Sequence, residues 1–298
     1  MSKKARSTVC LILTSVIWGV AFVAQRAGLE YVGSLTFNGV RFALGALPLI
    51  PLTLCFERGE NNKARNVGAL RTGVIGGVIL FSAATLQQYG VEFTASAGKS
   101  GFITGLYVVL VPVLGAAMGK KTTIFVWIGA VFAIAGLYLL SMRDGLLTIE
   151  VGDVVLLIGA LIWAVHIIYV DKCAGSVSPI RFSAVQFLTC SALSLVGAFA
   201  FEEVKASAIL AGYVPILYGG LLSVGIAYTL QIFGQRNVEP AKAAIIFSLE
   251  SLFAVLGGAA ILGEVMDLYS YIGCVLIFAG IIVSQLAPGA RARSRTSI

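Results

Sequence analysis

Glu250 lies ten residues inside a long apolar stretch, 240–262, and is the one carboxylate the sequence places so deep. At 1.5 Å of rise per residue this is ~15 Å along a helix, half of a ~30 Å hydrocarbon layer. A charge at that depth costs ~2.5–3.5 kcal/mol on insertion scales, so the side chain must face a cavity or a partner. Recognition of an ammonium group and uptake of a proton both suit it. A structural hydrogen bond between helices suits it as well.

Other polar side chains recur inside apolar stretches. Trp18 and Gln25 share one helical face, seven residues apart, and Trp163 and His166 share another. An indole wall and an imidazole suit a cationic or aromatic ligand, although a packed, satisfied histidine fits position 166 equally well. Ser100, Thr104 and Tyr107 recur at i, i+4 and i+7, and 144 residues later these places hold Ala244, Ser248 and Ser251. Such stripes either line a polar cavity or knit helices together. The small-residue pairs Gly101/Gly105 and Gly115/Gly119 favour close packing along part of that helix. Gln87 and Gln231 are also 144 apart, with Gln88 beside the first and Tyr228 one turn before the second. They offer amide hydrogen bonds. Arg41 and Lys99, a turn or two below one face, attract an anionic group, line an exit, or snorkel to water. Lys120 and Glu264 stand at equivalent span ends and read as caps or ion-pair partners.

Several chemistries lack their residues. Asp144, Asp153, Asp171 and Asp267 are isolated, so no Asp-rich Mg-diphosphate site is expected. His166 is the one histidine, which argues against a His-based metal cluster. Gly98-Lys99-Ser100 lacks the preceding glycine of a phosphate-cradling loop. No cofactor is expected. The cysteines Cys10, Cys55, Cys173, Cys190 and Cys274 show no metal or disulfide spacing and read as small packing residues.

The elements that must position these residues are set by composition. Apolar residues make up 58% of the 298-residue chain, mean hydropathy is +0.96, and charged residues are 12%, about half the roughly 25% of soluble domains. A soluble protein cannot hide that much apolar surface. An all-α integral membrane protein is expected, with the lipid bilayer as its solvent. Ten spans are predicted at 8–29, 34–55, 69–90, 96–118, 122–141, 152–171, 181–201, 211–233, 240–262 and 268–286. The first follows Lys3, Lys4 and Arg6, but its length and the bulky Phe22 argue against a cleaved secretory signal. The net charge of +7 then reflects loop bias rather than nucleic-acid binding. Alternate loops carry sixteen of the 21 Lys and Arg residues, against four (Arg26, Lys99, Arg143, Lys205) on the other side. Both termini are therefore expected in the cytoplasm of a multi-pass cell-membrane protein.

The two halves, 8–142 and 152–287, resemble each other at an offset of 144–145. Ile17-Trp18 matches Ile162-Trp163, and Arg41-Phe42 matches Gln186-Phe187. Thr85-Leu86-Gln87 with Gly90 matches Thr229-Leu230-Gln231 with Gly234. Gly129 and Ala135-Gly136 match Gly273 and Ala279-Gly280. Five spans per copy is an odd number, so the second copy enters the membrane from the opposite side. The copies are then related by a pseudo-two-fold axis in the membrane plane, a plan that suits alternating access around a midplane site.

Ile17-Trp18-Gly19, the run Ala97-Gly98-Lys99-Ser100-Gly101-Phe102-Ile103-Thr104-Gly105-Leu106-Tyr107 continuing to Pro112, and Leu262-Gly263-Glu264 before the last span resemble the EamA family of the drug/metabolite transporter superfamily. The resemblance covers nearly the whole chain as two tandem EamA domains. It implies a ten-helix transporter of small metabolites, often an exporter of amino acids or related compounds. Ser251 follows Glu250 where the family often has proline, so the sequence does not fix whether the ninth helix kinks.

A secondary transporter of a small polar metabolite, with or without a coupling ion, is the leading reading. Its expected substrate contacts are Trp18, Gln25, Gln87, Thr104, Tyr107, Trp163, His166, Tyr228, Gln231, Ser248, Glu250 and Ser251. An intramembrane enzyme acting on lipid-linked substrates would need a catalytic constellation at one interface, and none is visible. A non-transporting scaffold or sensor would not need polar residues from both halves to meet.

Overall fold

The computed structural model describes residues 2–56, 63–94, 97–120, 122–141, 150–174, 176–262 and 268–285. Asp144, Arg143, Asp267 and Glu264, and the side chain of Lys99, lie outside the described residues. Every described regular element is helical. Seven helices are long and apolar enough to cross a membrane, and the shorter apolar helices Ile124–Leu139 and Tyr271–Ser284 stand where the fifth and tenth spans are expected.

The first repeat holds α1 (Lys3–Gly28), the second span as α2 (Ser34–Ala46) and α3 (Leu49–Phe56), and α4 (Lys63–Thr94). Its fourth span is split into α5 (Ala97–Gly105) and α6 (Tyr107–Ala117), and α7 (Ile124–Ser141) closes it. The second repeat holds α8 (Val151–Cys173), α9 (Pro179–Phe201) and a short α10 (Ala206–Ala211). Its eighth span is α11 (Tyr213–Leu217), a π-helical stretch (Tyr218–Tyr228) and α12 (Thr229–Gln235). The ninth is split into α13 (Pro240–Phe247) and α14 (Leu249–Leu262), and α15 (Leu268–Gln285) is the tenth.

Packing between the repeats carries the inverted symmetry. On α7 and α15, a side chain at Gly129 would strike the Gly280 carbonyl, and one at Gly136 would strike the Gly273 carbonyl. Gly129 and Gly273 are repeat mates, as are Gly136 and Gly280. Each contact therefore maps onto the other when the repeats are exchanged. The order along the chains is antiparallel, so the exchanging axis runs across the helices. The same exchange relates Gly90 on α4 against Leu156 on α8 to Gly234 on α12 against Leu11 on α1. Backbone contacts this close need small residues, the usual device where lipid supplies no hydrophobic drive between helices.

One packing expectation needs correction. Gly115 and Gly119 face open space. Gly119 has φ +76° and ends α6 in a left-handed turn, with Lys120 N–H donating to the Gly115 carbonyl and Gly119 N–H to the Ala116 carbonyl, both at 2.9 Å. That is a helix-stop motif rather than a packing face.

The bundle is apolar outside and polar within. Val131, Val196, Phe199, Val275 and Ile282 project from its exterior, while Asn38, Arg41, Gln88, Gln186, Gln231 and Glu250 are buried. In lipid this distribution puts the costly groups against one another.

Candidate functional site

Both split spans break at the same level of the repeat. Leu106 interrupts the fourth and Ser248 the ninth, and these positions differ from exact repeat equivalence by two residues. The ninth helix thus breaks without a proline. Tyr107 opens α6, Leu249-Glu250 opens α14, and the Tyr107 hydroxyl donates to Glu250 Oε1 at 2.8 Å. Glu250 is 4% exposed. Helix breaks at membrane depth are tolerated where they border a cavity, and these do.

The cavity has a volume of about 30 Å³ in this conformation, room for about two water molecules. Nine of the twelve expected contacts line it: Trp18, Gln25, Gln87, Thr104, Tyr107, Trp163, Tyr228, Gln231 and Glu250. Its aromatic wall is built around Tyr228. The Trp18 and Tyr228 ring centroids are 4.7 Å apart, and Trp163 stacks on Tyr228 at 6.0 Å. Trp18 and Trp163, one from each repeat, stand 6.4 Å apart. Phe42 and Phe187 back Tyr228 from behind.

The remaining three expected contacts stand behind this lining. His166 lies edge-on to Trp163 at 5.6 Å and shares a 3.3 Å hydrogen bond with Gln186 Oε1. Ser248 Oγ donates to the Ile245 carbonyl and Ser251 Oγ to the Gly101 carbonyl. Both serines tie backbone at the helix break. Ser100, the first residue of the fourth-span stripe, turns instead to Thr94, with hydroxyls 2.8 Å apart. Thr104 and Tyr107 both line the cavity although the helix breaks between them at Leu106.

Arg41 and Ser223 line the cavity and are additional to the expected contacts. Arg41 is 2% exposed. Its Nε donates to Asn38 Oδ1 at 2.9 Å, and Asn38 Nδ2 donates to the Ala84 carbonyl at 3.1 Å. The Phe37 and Phe42 rings flank the guanidinium at 5.3 and 5.1 Å. The snorkelling alternative is set aside by that burial. The arginine's length left its direction open in the sequence; apolar neighbours at Phe37 and Phe42 were the available signal.

The hydrogen bonds divide the repeat mates unequally. Trp18 Nε1 donates to the Ser223 carbonyl at 3.2 Å, while Trp163 Nε1 has no partner among the described residues. Gln87 Nε2 donates to Gln25 Oε1 at 3.1 Å, while both amide atoms of Gln231 are unpartnered. The residue equivalent to Gln25 is Val170, which explains that difference. Ser248 bonds its own helix, while Thr104 Oγ1 has no partner among the described residues. In each pair the unpartnered member lines the cavity. Among the described residues no group of three His, Cys, Asp or Glu side chains gathers as a metal site.

Two inverted five-helix repeats meeting at broken helices around a polar-lined cavity define a membrane transporter fold. The chain matches the EamA-like transporter family over residues 6–142 and 150–286 and belongs to that family, which is not a family of enzymes. It is 28% identical over 288 residues to an uncharacterized transporter of Archaeoglobus fulgidus, covering 95% of this chain and 87% of that protein. It is 22% identical to the uncharacterized transporter YoaV of Bacillus subtilis, over 92% of this chain and 94% of that one. It is 24% identical to the uncharacterized inner membrane transporter YedA of Escherichia coli, over 90% of this chain and 87% of that one. A crystal structure with 21% sequence identity superposes with a TM-score of 0.78, covering 97% of this chain and 99% of the other, and shares the fold.

Proposed function

We propose that the chain is a secondary transporter of small polar metabolites working by alternating access, in the direction of export, with amino acids or related compounds as the substrate class that the family resemblance implies. The observation that carries this reading is the set of unpartnered polar atoms on Thr104, Trp163 and Gln231, drawn from both repeats and converging on one cavity. A buried polar atom without a partner costs ~1–3 kcal/mol. A ligand that supplies those bonds recovers part of that cost, which gives the empty site a reason to bind. Trp18, Gln25, Gln87, Tyr107, Tyr228 and Glu250 complete the proposed contact set, with His166, Ser248 and Ser251 bracing it. The two halves, 8–142 and 152–287, rock about the cavity, since exchanging their conformations exchanges the open face.

The Lys and Arg bias supports cytoplasmic termini, and the name of the Escherichia coli relative supports an inner, or cell, membrane location. Overexpression with a panel of metabolites and toxic analogues tests the direction. Raised tolerance with lowered intracellular content is expected. Raised sensitivity identifies uptake, and an unchanged profile together with absent flux in proteoliposomes removes the transport reading.

A further inference from the structure

Arg41 is a buried charge in no contact ion pair among the described residues: the described ion pairs lie elsewhere, at Lys120–Asp171 and Lys205–Glu203, and Glu250 shares the cavity lining without bonding it. Its single hydrogen bond holds the Nε edge on Asn38, which is itself anchored to the Ala84 carbonyl. The Phe37 and Phe42 rings flank the guanidinium. The group is therefore oriented, borders the cavity, and leaves its Nη atoms without an acceptor among the described residues. A guanidinium keeps its proton under all ordinary conditions, and its planar fork matches a carboxylate in two parallel hydrogen bonds. The scaffold does not require a cation at this place, because the repeat mate is Gln186, which bonds His166.

We propose that Arg41 is the specificity-determining residue of the cavity and selects substrates carrying a carboxylate, which its free Nη edge receives. A single guanidinium balances one negative charge, and Glu250 on the same lining disfavours a second. The substrate class is thus a small monocarboxylate rather than a phosphate ester or a purely cationic amine. This inference rests on the transport reading above and adds its chemical selectivity.

The test begins with cells expressing the full chain as wild type, Arg41→Lys or Arg41→Met, and with a profile of the compounds enriched in or depleted from the medium. Compounds moved by the wild type are expected to carry a carboxylate. Each is then offered to proteoliposomes beside its carboxamide, which keeps size and loses charge. The acid should move at least tenfold faster than the amide in the wild type. Arg41→Met should collapse that ratio, while Arg41→Lys retains part of it. A loss of folding would lower both rates alike and leave the ratio unmoved, and the wild-type and Arg41→Lys ratios decide the matter where the methionine variant is too unstable to assay. Transport of compounds without a carboxylate, or an acid-to-amide ratio near one in the wild type, overturns the proposal alone. Absence of any transported compound overturns the transport reading, and this inference with it.

Discussion

The two repeats place the same backbone around the cavity and furnish it differently. At the crossings, mates do the same work: Gly129 and Gly273, or Gly136 and Gly280, allow equivalent close approaches. At the cavity, mates diverge. Arg41 stands opposite Gln186, Glu250 opposite Leu106, Gln25 opposite Val170, and Tyr228 has no aromatic mate. The fourth-span and ninth-span breaks are near-equivalent, yet the third span is a continuous α-helix where the eighth runs through eleven π-helical residues. Under the proposed transport cycle, symmetry is kept where two conformations would exchange and is given up where one ligand would be recognised. A ligand is asymmetric, so a symmetric lining would bind it in two poses.

The largest effect that distinguishes the repeats is expected at Glu250. Glu250→Gln keeps the shape and the bond with Tyr107 but removes the charge and its titration. Transport should fall at least tenfold, equivalent to ~1.4 kcal/mol at the limiting step, with protein level and detergent melting temperature nearly unchanged. Measured flux close to the wild type would reduce Glu250 to a structural partner of Tyr107 and place ligand recognition on the aromatic wall.

The glycine crossings come next and test the shared part. A methyl group at Gly136 meets the Gly273 carbonyl and Ile277, and one at Gly280 meets the Gly129 carbonyl and Ala133. Overpacking of this kind costs ~1–3 kcal/mol. Gly136→Ala and Gly280→Ala, being mates, should lower apparent stability in detergent by the same amount within ~0.5 kcal/mol, while Gly115→Ala, which meets open space, should not lower it. A loss confined to one mate would show that the two crossings are not equivalent in solution.

The glutamine mates should separate stability from function. Removing Gln87 strands Gln25 Oε1, so Gln87→Leu should cost ~1–3 kcal/mol of stability. Gln231 has no partner among the described residues to strand, so Gln231→Leu should leave the melting temperature unchanged or raise it while slowing transport. Equal melting shifts for the two variants would mean that Gln231 has a hydrogen bond in the working protein.

Much of this architecture is legible in the sequence. Apolar length marks the spans, and Trp18/Trp163 and Gln87/Gln231 mark the repeat, because large or polar residues recur in register less readily than leucine. Helical periodicity brought Trp18 and Gln25 to one cavity because α1 is regular between them, and Thr104 and Tyr107 meet there across the break at Leu106. What escaped it depends on breaks in that regularity. Ser248 carries no proline or glycine signal, yet its helix stops there, and Ser248 and Ser251 bond backbone carbonyls behind the lining. Arg41 stayed outside the expected contacts because a long flexible cation can attract an anion, line an exit or snorkel until its neighbours fix its direction. Gly115 and Gly119 resembled a packing pair because spacing alone does not distinguish a helix-stop glycine from a contact glycine.

The smallest expected effect lies at the ends of the spans. Lys120 Nζ reaches Asp171 Oδ2 at 3.3 Å, joining the end of the fourth span to the end of the sixth. Their repeat mates are Glu264 and Arg26, so the sequence carries an acid and a base at those positions with the signs reversed. The lysine side chain is 41% exposed although the aspartate is only 7% exposed, and a pair half open to water is screened on its solvent side. Exposed pairs contribute ~0.2–1 kcal/mol, so a double-mutant cycle with Lys120→Gln and Asp171→Asn should give a coupling below ~1 kcal/mol. Exchanging the two residues as Lys120→Asp with Asp171→Lys should restore most of it, since the mate positions carry an acid and a base with the signs reversed. A coupling of ~2 kcal/mol or more would mean that the pair is shielded from water in the dominant conformation, and it would then rank with the glycine crossings as a structural tie between the spans.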